Sequence, residues 1–538
     1  MKSRSPVEVG VFGLLLLLAG SALVLLVPLL GVWVTSSIGT YLNAPSWVAA
    51  AAGVLLFPVL PLVWDAWALA RRRKKGVAPR MSAGPRIVLR VLVLNVLAVG
   101  LLLAFAPKLV FTALSTRGDW MLEGRSGPRV EQARQGLFWS ADRLEWLYAW
   151  ASPNRYAAEG EVAPAGDRPK PSAGTLTATV VAQVVAPPEA SAAPAASPMP
   201  TASPAPSVAP EASAAPAASP APSAAAAPTE SPAPTAAPAD PARPKWPLPA
   251  RPHALLASMP ADVETDFASV ARYIAEHEAN PYQQVRAIHD YVAQRIAYDV
   301  EGLKPGKYPS YEPKDVFDRR MGVCAGYANL VQAMVEAIGG KAIVVAGFSR
   351  EASSTLGNGD HAWNAVEIEG QWYLLDVTWD AGTVNEGRFQ RGYRTDYLFT
   401  PPELFVQTHL PALPEWQLLE VPVSRGEFMR QPMLKPGFYA HGLRLISPLR
   451  SQFSVDAPKA EVVLSNTRSV YLAAEVEPAD AAPASAARTR CNLHYTLGQA
   501  HIECPLAAPG KYRLILFGND QVLGSLPYLG QFEVNYNG

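Results

Sequence analysis

The chain has 538 residues and carries 46 basic (Lys and Arg) against 46 acidic side chains, so no net field draws it to nucleic acid or another polyanion. Three cysteines are too few for a disulfide-built fold. The 52 prolines crowd into one stretch, so the mean composition hides a mosaic of several folding units.

Val9 to Val34 is an apolar run without a charge, enough to cross a ~30 Å hydrocarbon core. It exceeds the apolar stretch of a secretory signal and lacks a small-residue cleavage site, so it is read as retained; cleavage would leave two spans and the same side for the C-terminal part. A second run, Trp47 to Leu69, carries Trp64 and Trp67 at one end, and a third runs from Ile87 to Phe105, with Arg90 placed to snorkel. Asp65 is read as an interfacial ion pair with the Arg71 cluster, in preference to an intramembrane functional acid. Lys2 and Arg4 precede the first run, and seven basic residues from Arg71 to Arg86 fill the loop between the second and third. The loop from Thr35 to Ser46 has no charge. Positive-inside then makes residues 1–115 an α-helical anchor of three transmembrane helices, with the N-terminus cytoplasmic and the remainder extracytoplasmic, periplasmic or at the cell surface.

Residues 116–163 form an amphipathic segment. Between Arg129 and Trp150, Val130, Ala133, Leu137, Leu144, Leu147 and Tyr148 fall broadly on one side, which fits a helix lying on the membrane interface or one packed on its neighbours. From 164 to 250, Ala, Pro, Ser and Thr dominate, and too few side chains remain to build a core. This is a disordered tether of roughly 90 residues, about 50 Å across as a coil and up to ~280 Å extended. A Pro-rich ligand is the alternative, but no basic anchor accompanies it.

Two helical patterns open the globular part, Val263 to His277 and Pro281 to Ala297, the second with Asn280 as cap. Next, Met321-Gly322-Val323-Cys324-Ala325-Gly326-Tyr327 leads into a helix that stops at Gly339-Gly340. Cys324 would stand at the helix N-terminus, where free amides and the dipole favour thiolate; the alternative is an inert core cysteine. Asp360 to Asp380 reads as a hairpin with Glu369-Gly370 at the turn. Paired residue numbers then sum to 739, which sets His361 opposite Thr378 and Trp363 opposite Asp376, so His361 and Asp376 are diagonal neighbours on one face. Cys324 is the expected nucleophile, His361 the base and Asp376 the residue that fixes its tautomer. The Cys324 N–H is the first oxyanion donor; the second is left unassigned, and Tyr298 and Tyr311 are read as packing tyrosines in preference to that role. With no CxxC, HExxH or helical His pair, neither a metal nor another cofactor is expected. His409 and His441 lie in loop-like surroundings and are read as ordinary surface residues.

The order GVCAGYANL, then GDHAWNAVEIEGQWYLLDVTWD, closely resembles the transglutaminase-like superfamily, most of all the branch that includes kyphoscoliosis peptidase and related bacterial membrane-anchored proteins. The resemblance runs from about Pro260 to Glu420, within a domain bounded at 251–422. It implies a papain-like α+β fold in which the cysteine's helix packs on a sheet carrying the His and Asp. By position it makes Cys324, His361 and Asp376 the catalytic set. Calcium dependence belongs to the animal cross-linking enzymes, and no acidic cluster here points to it. Members join glutamine to lysine side chains, hydrolyse peptides or amides, or only bind.

From 423 to 538, short alternating runs such as Lys459 to Leu464, Ser469 to Val476, Tyr512 to Phe517 and Gln531 to Tyr536 point to an all-β, sandwich-like domain. Cys491 and Cys504 flank a hairpin with Leu497-Gly498 at its tip, and the shared sum of 995 sets them opposite each other. Outside the cytoplasm they would be oxidised, leaving Cys324 as the free thiol; two free thiols are the alternative. The expected function is a membrane-anchored thiol acyltransferase or amide or peptide hydrolase with protein or peptide substrates and no nucleic-acid partner. A tethered, non-catalytic binding scaffold is the competing function, and the oligomeric state is open.

Overall fold

The computed structural model describes residues 24–538 except 25, 43, 45, 79–80, 124, 126, 153, 155, 157–244, 305–306, 308, 351–359, 386, 480–487 and 522–523. Most of the first apolar run and nearly all of the expected tether therefore lie outside the described residues.

Among the described residues, the Ala83–Phe105 helix is long and apolar enough to cross a membrane. A shorter apolar helix covers Leu26–Tyr41, so Thr35 to Tyr41 is helical where a loop was expected. The second apolar run is helical from Ser46 to Lys74 but passes through a π-helical stretch at Leu55–Val59, where Pro58 lacks the N–H a regular α ladder uses. Asp65 does not pair with the Arg71 cluster. It accepts from Arg86 Nε and Nη2 at 2.9 and 3.1 Å and also meets Arg90, both on the Ala83–Phe105 helix. Arg90 thus pairs with a neighbouring helix, and Arg71 lies over the Trp67 ring.

The chain breaks at Ala106 and restarts as the Pro107–Arg117 helix, nearly all of it buried. Residues 129–150 form two helices, Pro128–Asp142 and Glu145–Ala151, broken at Arg143-Leu144. They bury Phe138, Ala141, Leu147 and Tyr148, in place of the full Val130–Leu137 stripe. This region packs on its neighbours on one side, where Phe111, Tyr148 and Met429 form one buried cluster and Arg430 Nη1 donates to Ser115 O at 3.1 Å, while Trp139, Trp146 and Trp150 stay exposed. The buried Asp119 bonds both Arg134 and Arg450, at 2.8 Å each, which ties this segment to the C-terminal region.

In the central domain, the Asp266 carboxylate caps Phe267–His277 and the Asn280 side chain caps Pro281–Arg295, whose Pro281 occupies the first turn. Each cap satisfies an otherwise orphaned N–H. Val285, Ile288, Val292 and Ile296 join Leu330, Met334, Val366 and Leu375 in the main core. Trp246 and Leu248 also pack there, so the last residues of the expected tether belong to this domain. The Cys324–Ala337 helix lies against an antiparallel sheet of strand order Gln371–Leu375, Asp360–Ile368, Lys341–Ser349 and His409–Pro411. The hairpin keeps the expected register, from Ile368 opposite Gln371 to Asn364 opposite Leu375. Glu369 (φ 53°) and Gly370 (φ 77°) both take the left-handed conformation of a tight two-residue turn.

The C-terminal region is rich in β-sheet. One sheet runs Arg444–Ser447, Lys459–Ser465, Gln499–Pro505, Asn492–Thr496. The other runs Gln452–Val455, Tyr528–Tyr536, Gly510–Asn519, Tyr471–Pro478, Thr489–Arg490. In the first sheet, Ala460, Val462 and Leu464 stand opposite Cys504, Ile502 and Ala500, so both strands turn apolar side chains to one face. That face shares a core with Leu514, Leu516, Phe532 and Val534 of the second sheet. The 492–503 pairing follows the sum of 995, and Cys491 and Cys504 form a disulfide.

Candidate active site

Cys324 is the first residue of its helix, after Val323 as N-cap, so it stands at the positive end of the helix dipole. It is 2% exposed and is the free cysteine of the chain. His361 is the second residue of its strand, opposite Gly347, and its ring is within hydrogen-bond reach of the Cys324 thiol. His361 Nε2 donates to Asp376 Oδ2 at 2.6 Å, which leaves Nδ1 as the ring nitrogen for Cys324.

Asp376 does not continue the hairpin. The ladder stops at Leu375, and Asp376 caps the short Val377–Ala381 helix, with Oδ1 accepting from the Trp379 N–H at 3.1 Å. The expected pairs His361–Thr378 and Trp363–Asp376 therefore do not form. The chain turns into the helix one residue after the strand, and the carboxylate reaches His361 from the helix cap.

A second histidine completes the carboxylate's shell. His409 Nε2 donates to Asp376 Oδ2 at 2.9 Å, and its Nδ1 lies 2.9 Å from Thr408 Oγ1. Against the surface reading, His409 is fully buried, with Phe405, Trp379, Trp363 and Tyr397 rings 4.3 to 5.1 Å from its own. Leu410 and Pro411 after it, and Phe405 and Val406 beyond the polar Gln407-Thr408, are the one local hint of burial.

The thiol has a further neighbour. Tyr156, far upstream in the chain, is buried in one cluster with Cys324, Ala325, Ala328 and Ala362, and its hydroxyl hydrogen-bonds the thiol. Asn154 anchors this stretch: its side-chain amide donates to Gly347 O and its Oδ1 accepts from Tyr156 N at 2.8 Å. Tyr311 packs edge-on against Tyr156 at 6.0 Å, whereas Tyr298 packs with Tyr327 and Phe389.

Residues 268–377 match the Transglutaminase-like superfamily. This domain belongs to the transglutaminase-like superfamily. Kyphoscoliosis peptidase of Mus musculus is 33% identical over 191 residues, and that of Homo sapiens 32% over the same length. The match takes in 34% of this chain and only 29% of either relative. Cytokinesis protein 3 of Schizosaccharomyces pombe is 22% identical over 284 residues, 52% of this chain and 32% of that protein. Among solved structures, a putative cysteine protease from Cytophaga hutchinsonii is 20% identical over 23% of this chain and 44% of that one, with a TM-score of 0.18. The periplasmic domain of TgpA from Pseudomonas aeruginosa is 26% identical over 22% and 46%, with the same TM-score.

Within the transglutaminase-like domain the charges favour an ion pair. Burial alone would push His361 down, but the Asp376 carboxylate outweighs it and raises the imidazole to about 10. Burial would raise the Cys324 thiol, yet the hydrogen bond and charge of His361 bring it below its ordinary value. Asp376 is held far below the usual carboxylate range, its burial overcome by His361 and His409. His409 is driven down to about 4 by burial, against the pull of Asp376, and so stays neutral. His361, Asp376 and His409 do bring three ligand-type atoms within 4.8 Å of one another. Those atoms already bond each other in a closed site, so a cation would have to break both His–Asp bonds to enter. His441 takes no part in this cluster.

Proposed function

We propose that the chain is a membrane-anchored thiol acyltransferase or amide or peptide hydrolase, acting on protein or peptide substrates outside the cytoplasm through Cys324, His361 and Asp376. The reading rests on the unbroken contact series Cys324–His361–Asp376, with the cysteine at a helix N-terminus. The Ala83–Phe105 helix and the basic loop before it support anchoring, and positive-inside favours the far side for the domain.

In this reading Cys324 Sγ attacks an acyl carbon, and the carbonyl π pair moves to oxygen, toward the Cys324 N–H as first oxyanion donor. The intermediate collapses as the C–N bond breaks, and His361 Nδ1–H gives its proton to the departing amine or ammonia. An amine or a water then attacks the thioester carbon and passes its proton to His361, and the second tetrahedral intermediate collapses by breaking the C–S bond, which frees the product and the Cys324 thiolate. Asp376 keeps the imidazolium oriented throughout.

The test is to incubate the protein with a glutamine-containing peptide and a labelled primary amine, beside Cys324→Ala. Amine incorporation means transamidation; free acid or cleaved peptide means hydrolysis. Neither above the Cys324→Ala background contradicts the enzyme reading. It would favour the second one, a tethered binding scaffold, for which the near-complete burial of Cys324 speaks.

A further inference from the structure

We propose that His409 is a positioning residue of this site, a fourth member that fixes the Asp376 carboxylate for His361; the proposal rests on the acyl-transfer reading above. The ring sits in an aromatic enclosure formed by Phe405, Trp379, Trp363 and Tyr397, where an apolar side chain would pack without penalty. A buried imidazole persists there only because both nitrogens are bonded. Both bonds serve the carboxylate. With Nε2–H donated to Asp376, neutral Nδ1 must accept, so the Thr408 hydroxyl donates to it; Thr408 Oγ1 also lies 3.3 Å from the Tyr397 hydroxyl. Asp376, which can only accept, thus sets the His409 tautomer, and the Thr408 hydroxyl satisfies the nitrogen left over.

The turn that carries Thr408 into the His409 strand is itself clamped. The buried Arg350 donates through its backbone N–H to Thr408 O at 3.0 Å and through Nε to Gln407 O at 3.1 Å. Asp376 Oδ2 is thus fixed by two N–H donors that approach from different strands, and it cannot turn away from His361. A neutral donor is the right kind for this task, since a second imidazolium would compete with His361 for the same negative charge. The charged and titratable groups around the ring are His361, Asp376, Tyr397 and Lys435, whose Nζ lies 4.0 Å from the Trp379 ring centroid.

The experiment measures iodoacetamide alkylation of Cys324 against pH in the full chain, for the wild type, His409→Gln, His409→Phe and Thr408→Val. His409→Gln can return an amide N–H to Asp376, whereas His409→Phe keeps the packing and removes the donor. Removing one charge-assisted hydrogen bond lowers the rate at pH 6 by about tenfold and moves the acid limb to higher pH. His409→Gln restores most of both, and Thr408→Val falls between. Should His409→Phe fail to fold, Thr408→Val still decides. A wild-type limb and rate in both of those variants, or equal impairment in His409→Gln and His409→Phe, overturns the role. A wild type whose labelling follows the titration of a free model thiol instead overturns the acyl-transfer reading itself.

Discussion

Two buried histidines in the transglutaminase-like domain are held charged by aspartates. His361 donates to Asp376, and His289 lies between Asp290 at 2.9 Å and Asp380 at 3.1 Å. For His289 the cost of burial is again outweighed by its two carboxylate partners, and the ring is raised to about 9. Both shifts are upward, so the stability they contribute is fully present below the ordinary imidazole value and is lost as pH rises through about 9 and about 10. Urea unfolding followed from neutral pH into that range should show a falling midpoint. His289→Gln should be less stable at neutral pH, by ~3 kcal/mol, and should lose less on going alkaline. An equal alkaline loss in the variant would mean that other groups carry the pH dependence.

Among the elements, the hairpin was legible because strand period and turn chemistry are local: Glu369-Gly370 at positive φ fixes which residues face each other. The same arithmetic placed the Cys491–Cys504 pair. Legibility ended where the chain left the sheet, since Asp376 caps a helix that the alternating pattern conceals. His409 and Tyr156 were not legible, because each reaches the site through packing alone, 33 residues from Asp376 and 168 residues (324 minus 156) from Cys324. The position of Tyr156 also sets access to the thiol. Because it covers a sulfur only 2% exposed, Tyr156→Ala should speed alkylation of Cys324, while Tyr156→Phe keeps the cover and changes access little. An unchanged rate in Tyr156→Ala would show that another group limits entry. In the C-terminal hairpin the disulfide closes a short loop of 13-residue separation. Replacing both cysteines by serine should cost about 3 kcal/mol, read by denaturant unfolding against the parent.

Across the whole molecule, residues 107–156 pack against the folded part beyond residue 245. Phe111 and Tyr148 cover Met429, Arg430 donates to Ser115, and Asp119 joins Arg450. A fragment beginning at 245 therefore exposes apolar surface around Met429 and strands buried arginines. It should melt several degrees below a fragment beginning at 107, at about 2–4 °C for each kcal/mol lost in a domain of this size. Equal melting temperatures would mean that the 107–156 contacts add no stability. Composition and charge gave no sign of this docking, because its partners lie on opposite sides of the long Ala/Pro-rich stretch.

Everything proposed for this site depends on Cys324 being an activated thiolate held by His361 and Asp376. The second-order rate of iodoacetamide alkylation at Cys324 across pH, in the wild type, His361→Ala and Asp376→Asn, decides the point. Labelling of the wild type is expected to persist well below the pH at which an ordinary thiol ionises, with a loss of ~100-fold or more at pH 6 in either variant. Labelling that follows an ordinary thiol titration and is unchanged in both variants would contradict it.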